Sequence, residues 1–132
     1  MEPYFSDPQS KGLPPEEARI KELKVKPYPD GKRIQLLIEL TPFQLNPSGD
    51  LMIKNQAGLV VGSTSFIEAV SPKFDFTLHL RFSEPGDYVA SLILFYTHEV
   101  EEIDPEGKKF IRPEKVIVDR YNKKFIIHQQ DL

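Results

Sequence analysis

The chain has 132 residues, no cysteine, no tryptophan and a formal net charge of −3 from 17 basic and 20 acidic side chains. This length suits one domain that buries its core without disulfides or metal. The lack of cysteine excludes disulfides, thiolate zinc sites and cysteine nucleophiles. So small a net charge argues against bulk attraction to nucleic acid or an anionic membrane.

The N-terminal sequence has neither the basic start nor the apolar segment of a signal peptide. The longest apolar run, Leu92 to Tyr96, is far shorter than the roughly 20 residues needed to span a bilayer. Because a cysteine-free chain also suits a reducing compartment, we expect a cytoplasmic protein. A trimmed precursor of an exported protein would have the same features, so export remains open.

Residues 1–15 contain four of the twelve prolines and little hydrophobic periodicity, which predicts a tail or an arm that covers a sheet edge. The segment Pro14-Pro15-Glu16-Glu17 suits the first turn of a helix, because proline presets φ and acidic side chains favour a helix N-terminus. Alternation then begins near Leu23, and Pro27 excludes a continuing helix. We therefore expect a short turn that leads into a first strand.

Large apolar side chains recur at every second position in two segments, and a helix would scatter them around its circumference. The two sets are Ile34, Leu36, Ile38 and Leu40, and Phe74, Phe76, Leu78, Leu80 and Phe82. Groups of Pro, Asn, Asp and Gly suitable for turns separate such segments. No segment reads as a βαβ crossover, so the sheets should be antiparallel. The pattern predicts strands at 19–26, 33–41, 50–55, 58–67, 73–82, 87–98, 115–120 and 123–128.

The segment from Leu80 to Leu92 resembles the corner between strands E and F of immunoglobulin-like and fibronectin type III-like sandwiches. In those domains a tyrosine at the start of strand F bonds to the backbone a few residues upstream, and Tyr88 has that position. The segment 51–67 also resembles strands C and C′ of bacterial modules of this class. The cysteines and tryptophan of antibody domains are missing, so the resemblance is to the general sandwich.

This resemblance implies an all-β, antiparallel two-sheet immunoglobulin-like sandwich of about seven to eight strands with a long F–G connection. The expected organisation is a proline-rich tail or arm at 1–18, one sandwich domain at 19–128 and a C-terminal tail at 129–132. Such an architecture hosts many unrelated tasks, so it predicts the fold and leaves the function open.

An apolar stripe is expected on the outer face of strands C and F. If Tyr88 points inward, Val89, Ile93 and Phe95 point to the other side, beside Met52 of strand C. Exposed apolar patches usually mark contact sites, so these four residues form the predicted interaction surface, for a protein partner or a second copy. The alternative is that the tail 1–15 or the connection 99–114 covers this face.

The segment from Glu99 to Glu106 is acidic and the segment from Lys108 to Lys124 is basic. A hairpin across the turn 104–107 would place opposite charges in register. The alternatives are a protein-docking loop and a nucleic-acid site that uses the aromatic residues of the basic segment. The neighbouring acidic run would repel a polyanion, so we expect the hairpin and no nucleic acid.

No catalytic, cofactor or metal residues are expected. The three histidines, His79, His98 and His128, match no ligand spacing of a metal motif. No serine lies in a nucleophile elbow, and the seven glycines are isolated turn residues and not a phosphate loop.

The sequence therefore predicts a non-catalytic interaction module. The alternative is a small-ligand or carbohydrate-binding accessory domain. Its exposed aromatic side chains would have to come from Tyr28, Tyr96, Tyr121 and Phe125.

Overall fold

The computed structural model describes residues 12–129. A short 3-10 helix at Pro15–Glu17 precedes seven strands in this part of the chain, as the proline and acidic residues there predict. The strands are β1 (Ile20–Pro27), β2 (Arg33–Leu40), β3 (Ser48–Lys54), β4 (Val60–Phe66), β5 (Lys73–His79), β6 (Gly86–Ile103) and β7 (Lys109–Ile127). The predicted bounds of the tails and the domain stay a prediction, because residues 1–11 and 130–132 lie outside the described residues.

The strands form two antiparallel sheets, one with the order β1-β2-β5 and one with the order β4-β3-β6-β7. The predicted all-β, two-sheet sandwich is therefore confirmed. The strands predicted separately at 115–120 and 123–128 are one strand, β7. Its pairing with β6 continues through a register shift beside Leu94 and Phe95, so the irregularity bends the ladder without ending it.

The core lies between the sheets and follows the two-residue period of the sequence. Leu36 and Ile38 of β2 are buried together with Leu51 of β3 and Leu92 of β6. Burial of each such side chain contributes about 1.5–3 kcal/mol. This packing decides which side of β6 faces the core and which side faces solvent.

Tyr88 fastens the start of β6 as the resemblance implied. Its hydroxyl donates a hydrogen bond to the carbonyl of Glu84, and its ring stacks on Phe125 of β7 with the centroids 5.5 Å apart. Burial, followed by the nearby charge of Glu84, raises the pKa of Tyr88. The hydroxyl therefore stays protonated and remains a donor at neutral pH.

The hairpin predicted from the charge pattern is confirmed. β6 and β7 pair without a break in the ladder from Gly86 and Ile127 to Ile103 and Lys109. The connection between β6 and β7 is consequently residues 104–108, which is shorter than the long connection that was predicted. Asp104 closes it by accepting hydrogen bonds from the N–H groups of Glu106 and Lys108 at 3.0 and 2.8 Å.

Candidate interaction surfaces

The outer face of the four-stranded sheet contains three of the predicted surface residues in accessible positions. Residues paired across antiparallel strands share a face, which places Met52 between Ser63 and Ser91. Met52 is exposed, whereas Val89 and Ile93 are half-buried. Polar neighbours separate these apolar side chains, so the face is mixed and has no continuous apolar stripe.

Phe95 is not exposed, and that expectation is wrong. Only 8% of it is accessible, and the ammonium group of Lys115 lies over it, 4.2 Å from the centre of its ring. The same Lys115 Nζ lies 2.7 Å from Asp50 Oδ2. These contacts cover Phe95 with a side chain 20 residues further along the chain, and a cation over a ring adds attraction of its own.

Asp50 anchors this cover. Its carboxylate accepts hydrogen bonds from Lys115 and from the hydroxyl of Ser65, each at 2.7 Å. The Lys115 bond, followed by the Ser65 bond, lowers the pKa of Asp50. The carboxylate is therefore charged at neutral pH and holds Lys115 over Phe95.

The segment 99–114 was the predicted alternative cover for the outer face, but it instead extends the hairpin of β6 and β7. The last pair between β3 and β6 is Ser48 with Phe95. Beyond it, residues 97–103 and 109–115 pair only with each other among the described residues. We call this ribbon the arm. At roughly 3.3 Å per residue it extends about 20 Å past the end of β3. The tail 1–15, the other predicted cover, lies mostly outside the described residues.

The tip of the arm presents large apolar side chains to solvent. Ile103 is 65% exposed and Ile111 is 64% exposed, and Phe110 is also exposed. By strand alternation Phe110 lies on one face of the ribbon and Ile111 on the other. A two-stranded ribbon is only marginally stable by itself in water. Apolar side chains that stay exposed at its tip do not stabilise it, so folding does not explain their presence.

Ion pairs hold the register of the arm. Arg112 pairs with both Glu102 and Glu114, and Lys109 Nζ lies 3.6 Å from Glu101 Oε1. The Glu102 hydrogen bond and charge raise the pKa of Arg112. Exposed pairs of this kind add little to stability, because solvent screens them. They align the two strands and do not account for the apolar tip.

A groove of about 750 Å³ opens at the base of the arm. Its apolar lining includes Ile67, which is 81% exposed, and the exposed Leu45 and Val70. Tyr96 forms one wall and donates a hydrogen bond from its hydroxyl to the Leu45 carbonyl at 2.9 Å. The backbone turns sharply here, with φ of 48° at Glu68. Apolar surface therefore continues from the arm onto the end of the sandwich.

The side chains that could support chemistry are dispersed or bonded to other parts of the fold. Within residues 12–129 no cluster of three His, Cys, Asp or Glu side chains is placed to hold a metal ion. On the face of β5 that carries His79, Asp75 accepts a hydrogen bond from Gln35 at 2.8 Å. His98 and Glu114 form an exposed pair on the arm. These contacts are those of a solvated sheet surface.

The four aromatic residues considered for carbohydrate binding do not form one exposed row. Phe125 is buried under the Tyr88 ring. Tyr96 and Tyr121 pack against the core, while Tyr28 lies beside the other sheet and holds Arg33 over its ring at 4.3 Å.

Among residues 12–129, no helix has the length and apolar character that a membrane span requires.

No family model matches the chain, and no curated protein matches it. Matching solved structures include the β-glucuronidase of Ruminococcus gnavus in complex with D-glucaro 1,5-lactone, with 14% identity and a TM-score of 0.41. Its complex with D-glucaro-d-lactam gives 14% identity and a TM-score of 0.42. Each match covers 84% of this chain but 16% of the enzyme. A likeness this weak establishes neither a shared activity nor a shared ligand.

Proposed function

We propose that the chain is a non-catalytic, immunoglobulin-like binding module of the cytoplasm whose arm contacts a partner protein. Two antiparallel sheets and the hydrogen bond from Tyr88 to Glu84 support the immunoglobulin-like architecture. The absence of cysteine supports the compartment.

The observation that carries the proposal is the exposed apolar tip of the arm. Ile103 and Ile111 lie on one face of the ribbon and Phe110 on the other, all three beyond the end of β3, and exposed apolar groups that cluster in this way usually mark a contact site. Burial of three such side chains contributes several kcal/mol, about 1.5–3 for each fully buried one, before the entropic cost of association. The flanking charges of both signs fit a protein surface better than a polyanion.

The test places a photo-crosslinking amino acid at position 111 in the cells that produce the protein. The matched control position is 126, because Ile126 is also an exposed isoleucine of β7 but lies at the opposite end of the strand. We expect a discrete adduct from position 111 and none from position 126. Adding Ile103→Ser and Phe110→Ser should weaken the adduct several-fold. Equal labelling from both positions, or none from position 111, would refute the proposal.

A further inference from the structure

β4 is an edge strand, because it pairs with β3 and with no other strand among residues 12–129. Alternate residues of an edge strand direct their N–H and C=O groups away from the sheet, where another extended chain can pair with them. The fold occupies the first part of this edge, since the Val61 carbonyl accepts a hydrogen bond from the Arg81 N–H at 2.8 Å. The edge along residues 62–66 has no such cover from the described chain.

The other three edge strands, β1, β5 and β7, carry charged side chains, and β1 and β7 also contain proline; both features hinder edge pairing. These include Lys21, Lys24 and Lys26 of β1, Lys73 and Asp75 of β5, and Arg112, Pro113 and Arg120 of β7. The stretch 59–67, Leu-Val-Val-Gly-Ser-Thr-Ser-Phe-Ile, has neither a charge nor a proline. β4 is therefore the edge whose side chains do not oppose pairing.

Apolar side chains are exposed at both ends of this edge. Ile67 follows its C-terminal end, and Leu59 precedes its N-terminal end. Phe82, 63% exposed, lies next to Arg81 and so beside the N-terminal end as well. Antiparallel pairing of two identical strands brings the C-terminal end of each against the N-terminal end of the other. Ile67 of each copy would then lie near the N-terminal end of β4 in the other, where Leu59 and Phe82 are exposed.

We propose that β4 is a dimerisation edge, at which two copies of this chain pair antiparallel about a two-fold axis near Thr64. In this register Ser63 of one copy lies opposite Ser65 of the other, and the two four-stranded sheets become one continuous sheet. The lack of charge matters most for self-pairing, because a two-fold axis would set identical charges near each other. This interface is separate from the arm and does not depend on the function proposed for it.

The test measures self-association by sedimentation equilibrium for the whole chain and for charge variants at Ser63. The Ser63 side chain is exposed on the outer face of β4, so Ser63→Lys and Ser63→Glu should fold normally. Each variant alone should raise the dimer dissociation constant by about two- to fivefold, because the two like charges then lie diagonally across the axis. Mixing the two variants should restore dimers, since opposite charges then meet.

Two further variants separate the edge from other surfaces. His79→Lys adds a charge to the exposed end of β5, another edge strand, and should leave the dimer intact. Ile93→Lys lies on the outer face of β6, two strands from the β4 edge, and should also leave it intact. A wild type that stays monomeric, dimers that tolerate both Ser63 variants, or a dimer abolished by Ile93→Lys would each overturn the proposal.

Discussion

Gly49→Ala is expected to destabilise the protein, although the opposite would be predicted for a generic strand glycine. A glycine inside a strand costs about 0.5–1 kcal/mol relative to alanine, because it loses more backbone freedom on folding. Here a Cβ atom on Gly49 would lie 2.3 Å from Cζ of Phe66, its cross-strand neighbour. Carbon atoms in favourable contact are about 3.5–4.0 Å apart, so the ring must retreat by more than about 1 Å.

That retreat disturbs the contact between the sheets. The Phe66 ring meets Phe74 edge-on, with the centroids 4.8 Å apart and the planes at 73°. Overpacking of this kind typically costs about 1–3 kcal/mol, which exceeds the backbone gain. We expect a net loss of about 1 kcal/mol in the free energy of unfolding, seen as a lower urea midpoint with an unchanged slope.

A double-mutant cycle shows whether the Phe66 ring is the cause. In a Phe66→Ala background the obstruction is gone, so Gly49→Ala should become neutral or stabilising, with a coupling energy of about 1 kcal/mol or more. Gly62→Ala is the comparison in the facing strand, where the nearest atom is a flexible Leu80 methyl carbon at 3.1 Å, and its cost should be smaller. A Gly49→Ala protein as stable as the wild type, or equally destabilised without the Phe66 ring, would refute the reasoning.

Two other substitutions test contacts of β6 and its neighbours. Tyr88→Phe keeps the ring stack on Phe125 but removes the hydrogen bond to the Glu84 carbonyl. The loss of that bond should cost about 1 kcal/mol of stability and lower the melting temperature by about 4 °C in calorimetry. An unchanged melting temperature would contradict this expectation. Asp50→Asn removes a carboxylate whose pKa is lowered in the folded state by Lys115. The stability from that carboxylate is therefore present above its unfolded pKa and is lost as the pH falls through the folded value. At pH 7 the wild type should have the larger free energy of urea unfolding, by less than about 1 kcal/mol because the ion pair is partly exposed. In acid the two free energies should converge. A difference that persists in acid would argue against a role for the Asp50–Lys115 pair.

Most of the sheet architecture could be predicted because alternation is a local property of the chain. The two-residue period of Ile34 to Leu40 identifies a strand and the face it buries without reference to any other strand. The position of Tyr88 could also be predicted, since the turn residues just before it belong to a recurrent corner. The hairpin of β6 and β7 followed from opposite charges placed around one turn.

The candidate surfaces depended on contacts between distant residues. Periodicity placed Phe95 on the outer face, but the ring is buried there, and the register of the β6–β7 ladder brings Lys115 over it. Likewise, sequence alone did not show that β6 and β7 continue past β3, because strand length depends on where the neighbouring strand stops.

The sequence by itself determined the strands, their buried faces and the turns, since these follow from the side-chain period and from local backbone preferences. Only the tertiary structure decided which strands lie at an edge, how far the arm extends and which apolar groups stay exposed. Those properties depend on which strands lie next to each other in the two sheets. That spatial order is set by packing between residues far apart in the chain, which no local pattern encodes.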